Sequence, residues 1–301
     1  MYKQARPRMT RRQLMQKAAL FAAGSRLASS PLANAWAAAR PRIELGAQTN
    51  AWAIDPARFD TFLDVLGQIK KIGYAGFETG FFNLRPQFKS PETARSSIAS
   101  TGLTFFGIHI AIPFDRDDPA THLPPAALYE EVAHGGVALG AQRLIFSGAP
   151  AATTEDLKRK IAALNAAGSF SKNVGLPLAY HNHWWEFQSH VDEIEELYTE
   201  TDPALVSFLL DAGHAYRGGA DVPAFLRKHH DRIVALHLRD YSNGQQVPLG
   251  QGTFPLAQVA ATLKSLKWKG WVLNEEERED GSKLGLGVME PSFAALRKAF
   301  P

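Results

Sequence analysis

Eight times along this chain a short apolar run is followed by a longer segment with apolar residues at helical spacing. No other feature restricts the fold as strongly. The short runs predict strands over 43–52, 74–79, 103–112, 143–147, 176–183, 206–211, 233–239 and 271–275. The periodic segments predict helices over 59–72, 92–101, 125–139, 153–173, 191–199, 221–229, 255–266 and 291–300. Gly73 stops the first of these helices, where a residue without a Cβ suits a left-handed cap.

Strand-then-helix units in series imply a parallel sheet with right-handed crossovers, and eight such units close into a barrel. A barrel of this kind takes about 250 residues, which the 301-residue chain supplies. The sequence contains no internal repeat beyond the alternation and no dividing linker. The expected architecture is a single (β/α)8 TIM barrel over 40–301, preceded by a cleavable export signal over 1–39.

The leader accounts for the basic pI near 9.0. Residues 1–40 hold Lys3, Arg6, Arg8, Arg11, Arg12, Lys17, Arg26 and Arg40 and no acid, which leaves 25 basic against 30 acidic residues in the remainder. Residues 41–301 are therefore acidic on balance, which argues against a nucleic-acid-binding surface. Within the leader, Arg11-Arg12 precede the apolar run Ala18 to Gly24, and Ala33-Asn34-Ala35 supplies small residues at cleavage spacing. Together these predict a twin-arginine export signal cut after Ala35 or Ala39, with the twin-arginine machinery as partner and the periplasm as destination. The apolar run is too short to span a bilayer, so no stable membrane insertion is expected. The chain has no cysteine, so no disulfide is available. No Gly-rich dinucleotide fingerprint is present, and no nicotinamide cofactor is expected.

Functional groups in such a barrel gather at the C-terminal ends of its strands. Those ends carry Glu78, His109, His181 with His183, Asp211 with His214, His237 and Glu275. In the stretch Tyr180-His181-Asn182-His183-Trp184-Trp185-Glu186-Phe187, period-two alternation puts His181 and His183 on one face and Asn182 on the other. Carboxylate oxygens with imidazole nitrogens and no thiolate favour one divalent ion, Mn²⁺, Mg²⁺, Co²⁺ or Zn²⁺. Each residue also has a plainer reading: Asp211 as a helix cap, His237 as a core histidine, Glu275 as part of a solvated acidic run, Arg239 as a salt-bridge partner, Trp184 and Trp185 as packing.

The ordered segments GYAGFETG (73–80), GIHIAIP (107–113), YHNHWWEF (180–187), LLDAGHAYRGGAD (209–221), ALHLRD (235–240) and GWVLNEE (270–276) resemble the sugar phosphate isomerase/epimerase superfamily of xylose-isomerase-like barrels over roughly 43–300. The resemblance implies one metal held from strands five to eight, with Asp211, His237 and Glu275 as ligands. It also implies a fifth-strand glutamate acting as ligand and acid/base, and His181 stands in its place. Catalytic roles then fall to Glu275, His181 and His214, and substrate contacts to Glu78, His109, His183, Glu186, Trp185 and Arg239. The implied activity is isomerisation or epimerisation of a small sugar or keto-sugar by proton transfer beside a carbonyl. Alternatives are a lyase or hydrolase opening keto-glycosides by β-elimination, an endonuclease IV-like enzyme and a non-catalytic sugar-binding barrel. The oligomeric state, a homo-oligomer included, is left open.

Overall fold

A computed structural model describes residues 43–278 and 280–301. The expected export signal and its cleavage positions lie outside the described residues. Eight parallel strands close a barrel: β1 (Ile43–Gln48), β2 (Gly76–Gly80), β3 (Thr104–Ile110), β4 (Arg143–Phe146), β5 (Leu178–His181), β6 (Val206–Asp211), β7 (Ile233–Leu238) and β10 (Gly270–Asn274). Closure is made where β1 pairs with β10 on one side, Ile43 opposite Gly270, and with β2 on the other. Between β7 and β10 a short antiparallel hairpin, β8 (Asp240–Ser242) and β9 (Gln245–Val247), stands apart from the barrel sheet.

The helices lie close to the spans that periodicity predicts. They are α1 (Phe59–Ile72), α2 (Pro91–Ser100), α3 (Ala126–Leu139), α4 (Thr154–Asn173), α5 (Glu193–Glu200), α6 (Ala212–Arg217), α7 (Val222–His229), α8 (Leu256–Ser265) and α9 (Leu286–Ala299). Gly73 ends α1 at φ 114°, donating its N–H to Ile69 and Lys70. The six-residue α6 and the hairpin are absent from the sequence expectation. Both are too short for a periodic signal. The last helix starts five residues earlier than predicted, with Pro291 inside it.

Two apolar layers follow from strand alternation. Side chains pointing outward from the barrel, such as Tyr180, Leu210, Leu236 and Val272, pack in the large core shared with the helices. Phe106, Ile145, Ala179, Leu209, Ala235 and Leu273 form a separate cluster inside the barrel. A Cβ at Gly107 would stand 2.3 Å from the Ile145 side chain, so the absence of a side chain there admits this plug. The positions two residues beyond Ala179, Leu209, Ala235 and Leu273 are His181, Asp211, His237 and Glu275. The same parity that buries an apolar floor therefore stacks a polar layer directly above it.

Candidate metal centre at the strand ends

The polar layer converges. His181, Asp211, His237 and Glu275 are at most 2% exposed, and each offers one ligand atom within 4.8 Å of the others. His181 Nε2 stands 3.5 Å from Asp211 Oδ2 and 3.8 Å from Glu275 Oε2. Donors about 2.1 Å from a shared ion sit roughly 3–4 Å apart, so these separations suit one. His237 Nδ1 lies nearer, 2.6 Å from Glu275 Oε2, without the alignment of a hydrogen bond.

The satisfied and unsatisfied atoms divide in a way that favours an ion. His181 Nε2, Asp211 Oδ2 and His237 Nδ1 are buried without an aligned hydrogen bond. Arg239 meets Asp211 Oδ2 and Glu275 meets His237 Nδ1 as close ion pairs. His181 Nε2 is left 3.5 Å from Asp211, an arrangement that costs free energy unless something binds it. The opposite atoms of the same groups are held. His181 Nδ1 is 3.0 Å from Ser147 Oγ at the end of β4, and His237 Nε2 is 2.8 Å from Glu78 Oε2. Asp211 Oδ1 accepts the His214 N–H at 2.7 Å, capping α6. The capping role and a place in the cluster are thus compatible, one oxygen for each. A carboxylate behind an imidazole whose other nitrogen faces the cluster is the usual outer support of a metal-bound histidine. The donor set fits one divalent ion.

Glu78 supports two histidines, since its Oε1 lies 2.8 Å from His109 Nδ1. Burial pushes this carboxyl up, but the charges and hydrogen bonds of His237 and His109 outweigh it and hold it at about 2. Burial likewise pulls His237 down, while Glu275 and Glu78 override it and raise it to about 10. Without an ion this imidazole carries a proton between two carboxylates. Asp211 and Glu275 are held below the usual carboxylate range: burial opposes ionisation, but Arg239 chiefly counters it in both.

Arg239 follows β7 and is 3% exposed. Its Nη2 is 2.7 Å from Asp211 Oδ2 and also bonds Glu275 Oε2, so it lies within the cluster. Asn50 Nδ2 donates to Glu275 Oε1 at 3.1 Å. Asn182, on the opposite parity from His181, exchanges hydrogen bonds with the backbone of Asp211 and ties the ends of β5 and β6. Ser147, Asn50 and Asn182 escape the sequence reading. Ser147 has a recoverable signal, because it stands two residues beyond the floor residue Ile145.

The remaining expected site residues fall into two groups. His183 and His214 flank the cluster, their rings 5.0 Å apart, each with a buried Nδ1 that lacks a partner. Burial first, then neighbouring positive charge, holds His183 well below its usual range. In His214 burial outweighs Asp211 and lowers it to about 3. Trp185 stacks on His183 at 4.2 Å, and Phe114 meets both rings edge-on. Glu186 departs from the expected substrate contact. It is 1% exposed, accepts from Tyr180 Oη at 2.9 Å and from the His183 N–H at 2.7 Å. Tyr180 points outward from the barrel, so Glu186 anchors the loop from behind.

Comparison with known proteins extends the geometry. The xylose isomerase-like TIM barrel family matches residues 66–297. The inosose dehydratase of Bacillus licheniformis is 27% identical over 248 residues, covering 73% of this chain and 82% of the relative. A sugar phosphate isomerase/epimerase of Parabacteroides distasonis superposes with a TM-score of 0.69 at 19% identity, covering 86% of this chain and 95% of that one. The 3-keto-D-glucoside 4-epimerase of E. coli does so with a TM-score of 0.65 at 15% identity, covering 85% and 99%. At these identities the two structures speak to the barrel alone. The family match runs from α1 into α9 and takes in all four strands that carry the cluster, and the chain belongs to the xylose isomerase-like TIM barrel family.

Proposed function

We propose that this protein is a metal-dependent enzyme that removes a proton beside the carbonyl of a polyhydroxylated ketone, a keto-sugar or keto-cyclitol. The observation that carries this reading is the convergence of His181, Asp211, His237 and Glu275, one buried ligand atom of each facing the others. A divalent ion held there would polarise the carbonyl and stabilise the enediolate charge. Glu275 is the base: Asn50 donates to one of its oxygens, and Arg239 beside the other keeps it ionised. His183 and His214 stay neutral over the ordinary pH range and offer their Nδ1 atoms to substrate hydroxyls.

Two fates of the enediolate remain, and the fifth strand bears on them. Epimerisation by paired carboxylates needs one acid/base on each face of the substrate. Opposite Glu275 this chain presents imidazoles instead. β-Elimination needs one carboxylate base, since the proton that Glu275 takes from carbon can pass from its carboxyl to the departing hydroxyl or alkoxide, and the identity to an inosose dehydratase supports that fate. Epimerisation or isomerisation is the second reading, since the same enediolate gives it when a proton returns to carbon.

The deciding experiment is incubation of the ion-loaded protein with an inosose and with a 3-keto-glucoside in D₂O. Deuterium exchange beside the carbonyl reports enolisation, and product mass separates elimination, with loss of water or aglycone, from isomerisation. Glu275→Gln should lower the rate by about 10²–10⁴-fold, the range for a general base, and Asp211→Ala should lose both metal and turnover. Full turnover by metal-free protein or by Glu275→Gln would overturn the reading.

A further inference from the structure

The resemblance implies a carboxylate where β5 delivers an imidazole. His181 is no loose substitute: its Nδ1 is held at Ser147 Oγ, and the buried Nε2 faces Asp211 and Glu275 at 3.5 and 3.8 Å. The donor set is then two carboxylates and two imidazoles. Arg239 touches both carboxylates and offsets part of their charge. Hard ions such as Mg²⁺ and Mn²⁺ depend on carboxylate charge, whereas borderline ions gain from imidazole nitrogen.

We propose that His181 makes this centre select a borderline first-row ion of the cobalt-to-zinc group over Mg²⁺ and Mn²⁺. The proposal rests on the metal reading given above and concerns which ion that centre holds. Ser147 Oγ, 3.0 Å from His181 Nδ1, leaves Nε2 as the ring nitrogen that faces the cluster.

The test is metal retention, read without any substrate. The chelator-treated full chain is dialysed against equal concentrations of Mg²⁺, Mn²⁺, Co²⁺ and Zn²⁺, and the retained ions are counted by elemental mass spectrometry. Most donor sets hold Zn²⁺ more tightly than Mn²⁺, so the informative quantity is the response of the Co²⁺-to-Mn²⁺ ratio to substitution. His181→Glu should lower that ratio by about tenfold or more and change the visible absorption of the Co²⁺-loaded protein. If circular dichroism shows that His181→Glu does not fold, His181→Gln replaces it, with Co²⁺ and Zn²⁺ retention falling and Mn²⁺ not rising. An unchanged ratio in the folded variant overturns the selection by His181. Failure of the unsubstituted protein to retain any of the four ions overturns the metal reading itself.

Discussion

Glu186 illustrates how a buried carboxyl serves a site without facing it. Burial raises it from 4.5 to about 7, with Glu193 adding to the rise and Lys160 opposing it. A carboxyl whose folded value lies above its unfolded one binds more protons in the folded state, so stability falls as pH rises between the two values. For Glu186 that window runs from about pH 4.5 to about pH 7, and the shift corresponds to about 3 kcal/mol. Glu186→Gln should therefore gain in melting temperature relative to the unsubstituted protein as pH goes from 5 to 8. A constant difference across that range would show that Glu186 does not carry the dependence. Residues of this kind were the least legible in sequence. Asp211, His237 and Glu275 could be aligned by strand parity, since each follows an apolar floor residue by two. Glu186 follows His181 by five, across a loop and a short 3-10 turn over Trp185–Gln188, and no periodicity says which way that turn aims it.

The element that bears most on the centre without carrying a ligand is the β8–β9 hairpin. Asp240 accepts four backbone N–H groups, from Tyr241 and Phe254 on Oδ1 and from Gly250 and Gly252 on Oδ2, all at 2.8–2.9 Å. It folds residues 241–254 about a single buried carboxylate. The hairpin then presents Gln246, whose Nε2 donates to the Glu275 carbonyl at 2.9 Å, while Arg278 returns a bond to the Gln246 carbonyl. Asp240→Ala would take the shared acceptor from four backbone donors, of which that of Phe254 is buried and the others are partly open to water. At about 1–3 kcal/mol for a buried unsatisfied group, the loss should be about 1–3 kcal/mol in denaturant unfolding. Asp240→Asn, which keeps one oxygen, should fall between. An alanine variant as stable as the parent would show that water or rearrangement replaces these bonds. The barrel strands and α1 were legible because periodicities of two and 3.6 persist over enough residues to be recognised. A three-residue strand pair held by one aspartate has no period; its sequence trace is the Asn243-Gly244 pair between the strands, both at positive φ as a two-residue hairpin turn requires.

Across the whole molecule, the polar groups that are not ligands clamp neighbouring loops on the face where the strands end. Lys160 of α4 is fully buried, donates to the Ala149 carbonyl at 2.9 Å and pairs with Glu193 of α5 at 2.6 Å. Glu193 in turn accepts the Ala151 N–H, and Asp117 accepts that of Ala149. The loops after β3, β4 and β5 are thus joined without a ligand. The candidate ligands are distributed differently: His181, Asp211, His237 and Glu275 come from or directly follow β5, β6, β7 and β10, which are consecutive neighbours around the barrel. An ion shared among them would cross-link half of the wall and leave β1, β2, β3 and β4 without a direct link. Because an ion that binds only the folded state stabilises by about 2.7 kcal/mol at a hundredfold excess over its dissociation constant, melting should rise by roughly 5–10 °C for a domain of this size. Asp211→Ala should abolish the rise. The position of the gain is the sharper expectation: amide hydrogen exchange should slow on ion addition mainly in β5, β6, β7 and β10, with β3 and β4 changing less, since local opening of the cross-linked wall must now break ligand bonds. Uniform slowing around the barrel would mean that the ion acts through global unfolding alone, and slowing confined to surface loops would place it away from the four residues.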